Sequence, residues 1–459
     1  MGGWSQSGSG RRALTVHSGG LKNKTVAASF IDHPANVVLR SMRTSSGSKK
    51  RVLLLSLAWF AFLQVVLAWL CLPLWLLVRW LGHRRQTAKQ ILIISMGGIG
   101  DDVLAIPFIK TLRRRYPGRT IILIIRPIAA GFAELLPGEV DRELPYRYGL
   151  TPTARFFEPL RALWFVARHG LAINTELAAV SNWGPDVCGA GFIAFFSRAT
   201  RRIAFAAGVS AEKKARNCLY DTFYTSLRHA PAEIHEAKKL AILLQDDRKE
   251  RVAFGTEVPD HNPTLLPVLE RRSGTARMVL APFTGHPRKN WPIDRWIAVT
   301  RELCLLHPEA EFVIIGGPDD GIAAEAITRA CQRTRSLCGK LSFPEIVEAV
   351  RTSWVFVGGD TGLTHLAAYA QANIVVLFSH PIGGSPGHCS SPDRFGPIAD
   401  PVTVIQPKPN PGCAVACEAL KPCCILNISV REVALAVESA LACSLSDTRP
   451  GSPKNYAVQ

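Results

Sequence analysis

Three short stretches gather side chains able to work on a hydroxyl or a phosphate. The first, Ser95-Met96-Gly97-Gly98-Ile99-Gly100-Asp101-Asp102, sets two adjacent carboxylates behind three glycines. Glycines let a ligand approach the backbone, and a carboxylate at the mouth of a cleft can act as a general base whose proton affinity a like-charged neighbour raises. An aspartate at a helix start is equally an ordinary N-cap. The stretch is neither a dinucleotide fingerprint nor a Walker loop: Val103 stands at the third glycine position after Gly98 and Gly100, and no Lys-Ser/Thr pair follows.

The second stretch, Thr284-Gly285-His286-Pro287-Arg288-Lys289-Asn290-Trp291-Pro292, places His286, Arg288 and Lys289 in a loop before a helix opened by Pro292 and Asp294. A cationic loop at a helix start suits a diphosphate, although alone it reads as a solvated basic turn. In the third, Gly358-Gly359-Asp360-Thr361-Gly362-Leu363-Thr364-His365-Leu366, a strand ends at Val357 and a helix begins near Asp360 and Thr361. Thr361 and Gly362 there offer hydroxyl and amide to phosphate oxygens beside the positive end of the helix.

The elements that must position these stretches alternate between short β-branched runs and amphipathic segments. ILIIS (91–95), a helix over 103–115 and TIILII (120–125) form one β-loop-α-β unit. A second series runs MVLAPF (278–283), a helix over 293–306, EFVIIGG (311–317), helices over 322–333 and 343–351, WVFVGG (354–359), a helix from Leu363 and IVVLFS (374–379). The pattern predicts an α/β protein of two doubly wound, Rossmann-like domains facing a cleft. The N-terminal domain covers 88–258, a proline-bearing linker 259–275, and the C-terminal domain 276–443, with a disordered tail over 444–459. Ligands in such sheets bind beyond the carboxyl ends of the strands, where all three stretches fall.

Taken together and in this order, SMGGIGDDVLAIP, KNWPIDRW and GGDTGLTHLAA resemble the heptosyltransferase family, glycosyltransferases that use ADP-heptose to build the inner core of lipopolysaccharide. The resemblance covers about residues 90–440. Ile99, Gly100, Asp101, Val103, Leu104 and Pro107 fit the first family element, Lys289, Trp291 and Pro292 the second, and Asp360, Thr361, Gly362, His365 and Leu366 the third and most specific. The sequence departs from the family at Ser95, where Arg is common, at Asp102, where a small or apolar residue is common, and at Ser379-His380-Pro381, where Gly-Pro-Thr is common.

The resemblance implies a GT-B fold and an inverting, metal-independent transferase needing no cofactor, with the acceptor on the N-terminal half and a nucleotide sugar, ADP-heptose by family, on the C-terminal half. Asp101 would be the general base, and Gly98, Gly100 and Asp102 would belong to the acceptor loop. Lys289, with Thr284 and the Thr361-Gly362-Leu363 turn, would hold the diphosphate. Asp360 would orient that turn or touch the donor sugar, and His365 would contact ligand or pack on the sheet. In Gly316-Gly317-Pro318-Asp319-Asp320, Asp319 or Asp320 would hold the ribose hydroxyls, or the loop would be an exposed turn.

The composition agrees with a membrane partner rather than a nucleic acid. The chain of 459 residues carries +18, but residues 1–90 hold thirteen Lys/Arg against the single acid Asp32. A charge so concentrated beside an apolar run suits anionic lipid headgroups. Residues 1–51 read as a basic disordered tail, with Met42 an alternative start. Residues 52–81 (VLLLSLAWFAFLQVVLAWLCLPLWLLVRWL) exceed the roughly 20 residues that span a bilayer, so they read as a membrane segment, either a single span or a re-entrant, in-plane pair broken near Gln64 or Pro73. Mean hydropathy is +0.13.

Among twelve cysteines, Cys413, Cys417, Cys423 and Cys424 cluster in CAVACEALKPCC, a structural metal site, a reduced loop or a labile disulfide; the other eight read as small hydrophobes. The expected protein is an inner-membrane sugar transferase, its catalytic domains on the cytoplasmic face, acting on a lipopolysaccharide-core or other lipid-linked saccharide. A GT-B nucleotide-sugar epimerase or hydrolase and a non-catalytic nucleotide-sugar-binding membrane protein are the alternatives.

Overall fold

The computed structural model describes residues 47–73, 75–76, 89–245, 276–413 and 421–446, with the side chains of 47–58 and 443–446 outside the description. Two parallel sheets of six strands organise it. The first comprises β1 (Gln90–Ser95), β2 (Thr120–Ile125), β3 (Arg142–Pro145), β4 (Thr175–Val180), β5 (Arg201–Phe205) and β6 (Ser226–Arg228), in the order β3-β2-β1-β4-β5-β6. The second comprises β7 (Arg277–Ala281), β8 (Glu311–Ile314), β9 (Thr334–Ser336), β10 (Val355–Gly359), β11 (Ile374–Leu377) and β12 (Val402–Ile405), in the order β12-β11-β10-β7-β8-β9. Each sheet reverses its winding at its first strand, between β1 and β4 and between β7 and β10. That crevice is the natural ligand position of a doubly wound sheet.

The continuous apolar runs are what a sheet covered on both faces requires. In β1 and β2, Ile91, Ile93, Ile121 and Leu123 face one buried cluster, while Leu92, Ile94, Ile122 and Ile124 face another. Met278 and Leu280 of β7 enter a third cluster under the helix Ile293–Leu306, while Val279 and Ala281 join the first. The first cluster is therefore continuous through both sheets, and ring and backbone contacts reinforce it: Phe132 meets Phe343 edge-on at 6.0 Å, and the Tyr369 hydroxyl donates to Leu135 O at 3.2 Å.

The expected elements occur with small shifts. The helix predicted over 103–115 is two, Ile99–Leu104 and Ile106–Arg115, because Pro107 sits in the first turn of the second and starts it anew at Ala105. The helix expected from Leu363 is Gly362–Tyr369, with Thr361 as its N-cap.

The N-terminal expectation needs correction. A helix runs Gly47–Leu70, beginning inside the stretch read as tail and ending well before Leu81. Residue 74, residues 77–81 and the side chains of 52–58 lie outside the described residues, as do 1–46 of the expected tail. No helix among the described residues is long and apolar enough to cross a membrane. Ala61, Ala68 and Trp75 are buried in the second core cluster, so one face of the segment packs on the N-terminal domain. At the other end the helix Val430–Ser446 extends past 443, and 447–459 and the linker 259–275 lie outside the described residues.

The cysteines also differ from expectation. Cys188 and Cys338 are buried, but Cys218 and Cys389 are exposed, and Cys304 is disulfide-bonded to Cys331.

The two domains touch through glycines. A Cβ added at Gly362 would lie 2.8 Å from Ile99 Cβ and 3.1 Å from Gly100 N, so Gly362→Ala should cost roughly 1–3 kcal/mol of stability. Thermal unfolding should show a clear fall in Tm for Gly362→Ala and almost none for Gly208→Ala, whose added methyl meets nothing. Equal Tm values would mean that the loops are not pressed together.

Candidate active site between the two sheets

Asp101 follows β1, Thr284 to Lys289 follow β7, and Asp360 follows β10: the three stretches sit at the crevice strands of the two sheets. The loops meet across the cleft. A Cβ at Gly100 would lie 2.6 Å from the His365 ring, so the glycine is required by the neighbouring domain rather than by its own turn. His365 is buried there, and that burial pushes its imidazole down to about 4, leaving it neutral. Its ring lies against Gly100 at the domain contact.

Asp101 Oδ2 accepts the Gly98 amide at 2.7 Å in the first turn of the helix Ile99–Leu104. Burial pushes its carboxyl up, the Gly98 amide pulls the other way, Glu236 adds to the rise, and the cations Lys289 and Arg126 oppose it. The influence of Lys289 ties Asp101 electrostatically to the opposite domain. The raised proton affinity of Asp101 therefore comes first from burial, with the nearby cations opposing it.

Asp102 is placed differently from the expected acceptor loop. Only 1% exposed, it points inward, where Ser95 Oγ donates to its Oδ1 at 2.5 Å. Its Oδ2 has no partner among the described residues, and burial pushes the carboxyl well up, against the Ser95 hydrogen bond. The two departures from the family pattern in this loop are thus one pair, a short hydroxyl beside a buried carboxyl.

Across the cleft Lys289 Nζ lies 2.5 Å from Asp360 Oδ2. The turn carrying the lysine is fixed by Asn290, whose Oδ1 accepts both the Thr284 amide (2.9 Å) and the Thr284 hydroxyl (2.8 Å). Thr361 makes no side-chain cap; at the start of the helix Gly362–Tyr369 the Thr364 amide donates to Thr361 O (3.1 Å) and Thr364 Oγ1 to Gly359 O (2.6 Å). Leu363 packs against the shared core. Of the ribose candidates, Asp320 Oδ2 accepts the Gly317 amide at 2.7 Å and is engaged in its own turn, whereas Asp319 is exposed. Cys413, Cys423 and Cys424 bring their sulfurs within 4.8 Å of one another, and Cys417 lies outside the described residues.

Several site residues escaped the sequence reading. A cavity of about 270 Å³ opens beside Asp101, lined also by Asn182, Trp183, Lys213, Glu236, Cys389 and Arg394. Asn182 Oδ1 holds the Met96 amide at 2.7 Å, fixing the loop that carries Asp101. Trp183 lies between two cations, Lys239 Nζ at 4.1 Å and the Arg394 guanidinium at 4.8 Å from its ring centroid. Glu236 accepts from Lys239 Nζ (2.6 Å) and from Arg394 Nε (2.9 Å), binding the helix Glu236–Leu243 to the C-terminal domain. Burial pushes the Lys213 ammonium down to about 8, against the pull of Asp186 and Asp221. The only signal for β4's contribution was the strand position itself, since Asn182-Trp183 follows β4 as Asp101 follows β1.

Such a pair of parallel six-stranded sheets is the GT-B arrangement, and solved structures of that kind match it. The Escherichia coli ADP-heptose lipopolysaccharide heptosyltransferase II superposes with a TM-score of 0.55 at 17% identity, covering 78% of this chain and all of that one. A glycosyltransferase of family 9 from Veillonella parvula also gives 0.55 at 17% identity, covering 77% of this chain and 97% of that one. E. coli heptosyltransferase WaaC with ADP gives 0.55 at 16%, covering 77% of this chain and all of that one.

The sequence then narrows the class. Residues 231–419 match the family model of glycosyltransferase family 9 (heptosyltransferase), and the expected kinship with the heptosyltransferase family holds over them. Lipopolysaccharide heptosyltransferase 3 of E. coli is 29% identical over 110 residues, which span 23% of this chain and 32% of that protein.

The buried Asp102 makes stability pH-dependent with a defined sign. Its carboxyl holds a proton more tightly folded than unfolded, so folding takes up a proton, and stability falls as pH rises from the unfolded value of about 3.9 through the raised folded one. Urea titrations of Asp102→Asn across this range should lose that component of the slope; an unchanged slope would place the raised carboxyl elsewhere. Ser95→Ala, which removes the partner of a buried group, should cost roughly 1–3 kcal/mol.

Proposed function

We propose that this protein is an inverting, metal-independent glycosyltransferase that moves heptose, or a related sugar, from a nucleotide diphosphate sugar to a lipid-linked saccharide. ADP-heptose is the expected donor and a lipopolysaccharide core the expected acceptor. The observation that carries this reading is that Asp101, just after β1 of one sheet, and the Lys289–Asp360 pair, just after β7 and β10 of the other, lie beyond the crevice strands where the two domains' loops come together. The family match over 231–419 and the activities of the named relatives support the chemistry.

In this mechanism the acceptor hydroxyl approaches from the cavity beside Asp101. The carboxylate takes its proton as the oxygen attacks the anomeric carbon, and the bond from that carbon to the diphosphate breaks on the opposite face. One displacement inverts the configuration. The electron pair of that bond leaves with the diphosphate oxygen, and the one negative charge it gains is met by Lys289 and the amides at the start of the helix Gly362–Tyr369. Asp360 holds Lys289 in place until the diphosphate arrives. The catalytic domains would work at the cytoplasmic face of the inner membrane, where a lipid-linked acceptor and a soluble nucleotide sugar are both available.

Asp101→Asn keeps an oxygen for the Gly98 amide but cannot take a proton, so transfer should be abolished while calorimetric donor affinity stays near wild type. Loss of donor affinity instead would reassign Asp101 to the donor. Lys289→Ala should weaken nucleotide binding by roughly 1–3 kcal/mol, the usual loss for a charge-assisted contact. Unchanged affinity would remove the lysine from the diphosphate site.

A further inference from the structure

The helix Gly47–Leu70 has two different faces. Ala61, Gln64 and Ala68 are buried, and Gln64 is tied into the N-terminal domain twice: its Nε2 donates to Arg155 O (2.6 Å), and the Tyr220 hydroxyl donates to its Oε1 (3.0 Å). Just beyond the helix, Trp75 Nε1 donates to Phe196 O at 2.7 Å. The opposite stripe, Trp59, Phe62, Val66 and Trp69, recurs at helical spacing and is exposed, Trp59 by 63%.

A second apolar stripe lies beside it. On the helix Glu158–His169, which packs against Gly47–Leu70, Trp164 is 61% exposed, and Phe157 just before the helix is 49% exposed. Between the two helices the half-buried Phe60 and Phe156 rings lie 6.1 Å apart. Two arginines belong to this face. Arg168 sits 5.1 Å from the Trp164 ring centroid, and Arg161, 3.7 Å from the nearly buried Glu158, keeps a 42% exposed side chain.

We propose that these two helices form a single in-plane docking surface for an anionic lipid bilayer. The aromatic side chains enter the boundary between headgroups and acyl chains, and Arg161 and Arg168 bind lipid phosphates. This rests on the membrane-surface part of the proposed function and deepens it by naming the surface. A helix hydrogen-bonded along one face to a folded domain cannot also cross the bilayer, but it can lie half-embedded in it. Tryptophan beside arginine suits the wet edge of a membrane, where the ring is buried and the guanidinium reaches phosphate. A second copy of the chain is a poorer occupant, because pairing the face with itself would bring exposed arginines together.

The test is sedimentation of the full-length protein with vesicles of phosphatidylcholine alone or mixed with phosphatidylglycerol. Wild type should bind the mixed vesicles, and binding should weaken with salt. Phe157→Glu with Trp164→Glu should reduce the bound fraction about tenfold, the scale of losing two interfacial aromatics. Arg161→Gln with Arg168→Gln should remove the preference for phosphatidylglycerol. Wild type failing to bind, or the aromatic variant binding as wild type does, would overturn the proposal. So would an aromatic variant that only converts a dimer to a monomer on size-exclusion chromatography. Trp164→Gln, a milder exposed change, guards against misfolding. Transfer to a short water-soluble acceptor should be unaltered in all these variants; its absence even in wild type would fault the transferase reading and leave the vesicle result standing.

Discussion

The site depends on one steric constraint, the close approach of two glycine-bearing loops from different domains. Gly100 leaves room for the His365 ring, and Gly362 leaves room for Ile99 and the Gly100 backbone. Only with both side chains absent can the first turn of one helix lie against the first turn of another. That approach puts Asp101 within the electrostatic reach of Lys289. The shared apolar core behind the loops, the Phe132–Phe343 contact and the Glu236–Arg394 ion pair hold the domains in this relation.

Much of this was legible in the sequence because the carrying elements are local and strongly patterned. ILIIS, TIILII, WVFVGG and IVVLFS are β-branched runs of strand length, and each became a buried strand. The glycines and aspartates between strand and helix marked the loops, and strand order did the rest by placing them at the crevices. Less legible were β3 to β6, β9 and β12. RELP has no buried residue, TELAAV lacks a β-branched run, and the three-residue strands Ser226–Arg228 and Thr334–Ser336 are too short to show a period. The cavity residues Asn182, Lys213, Glu236 and Arg394 come together only through that topology, so no spacing in the chain could have announced them.

At two places burial decides what residue type alone leaves open. Asp101 and Asp102 are adjacent carboxylates, but successive positions on a helix point about 100° apart, so one faces the cleft and the other meets Ser95 in the interior. The apolar run from 52 was long enough to span a bilayer, yet Gln64 and Trp75 carry polar atoms that are satisfied by the folded domain. A hydropathy sum cannot distinguish lipid from protein as the burying phase. Here the described part of the segment uses protein on one face and leaves aromatics open on the other.

The most direct test of the central claim is mass spectrometry of a lipid-linked core acceptor incubated with ADP-heptose and the full-length protein in EDTA. The account predicts an acceptor enlarged by one heptosyl unit, stoichiometric release of ADP, and negligible donor turnover when the acceptor is omitted. Consumption of the nucleotide sugar without acceptor, or no turnover with ADP-, GDP- or UDP-sugars under any acceptor, would contradict it.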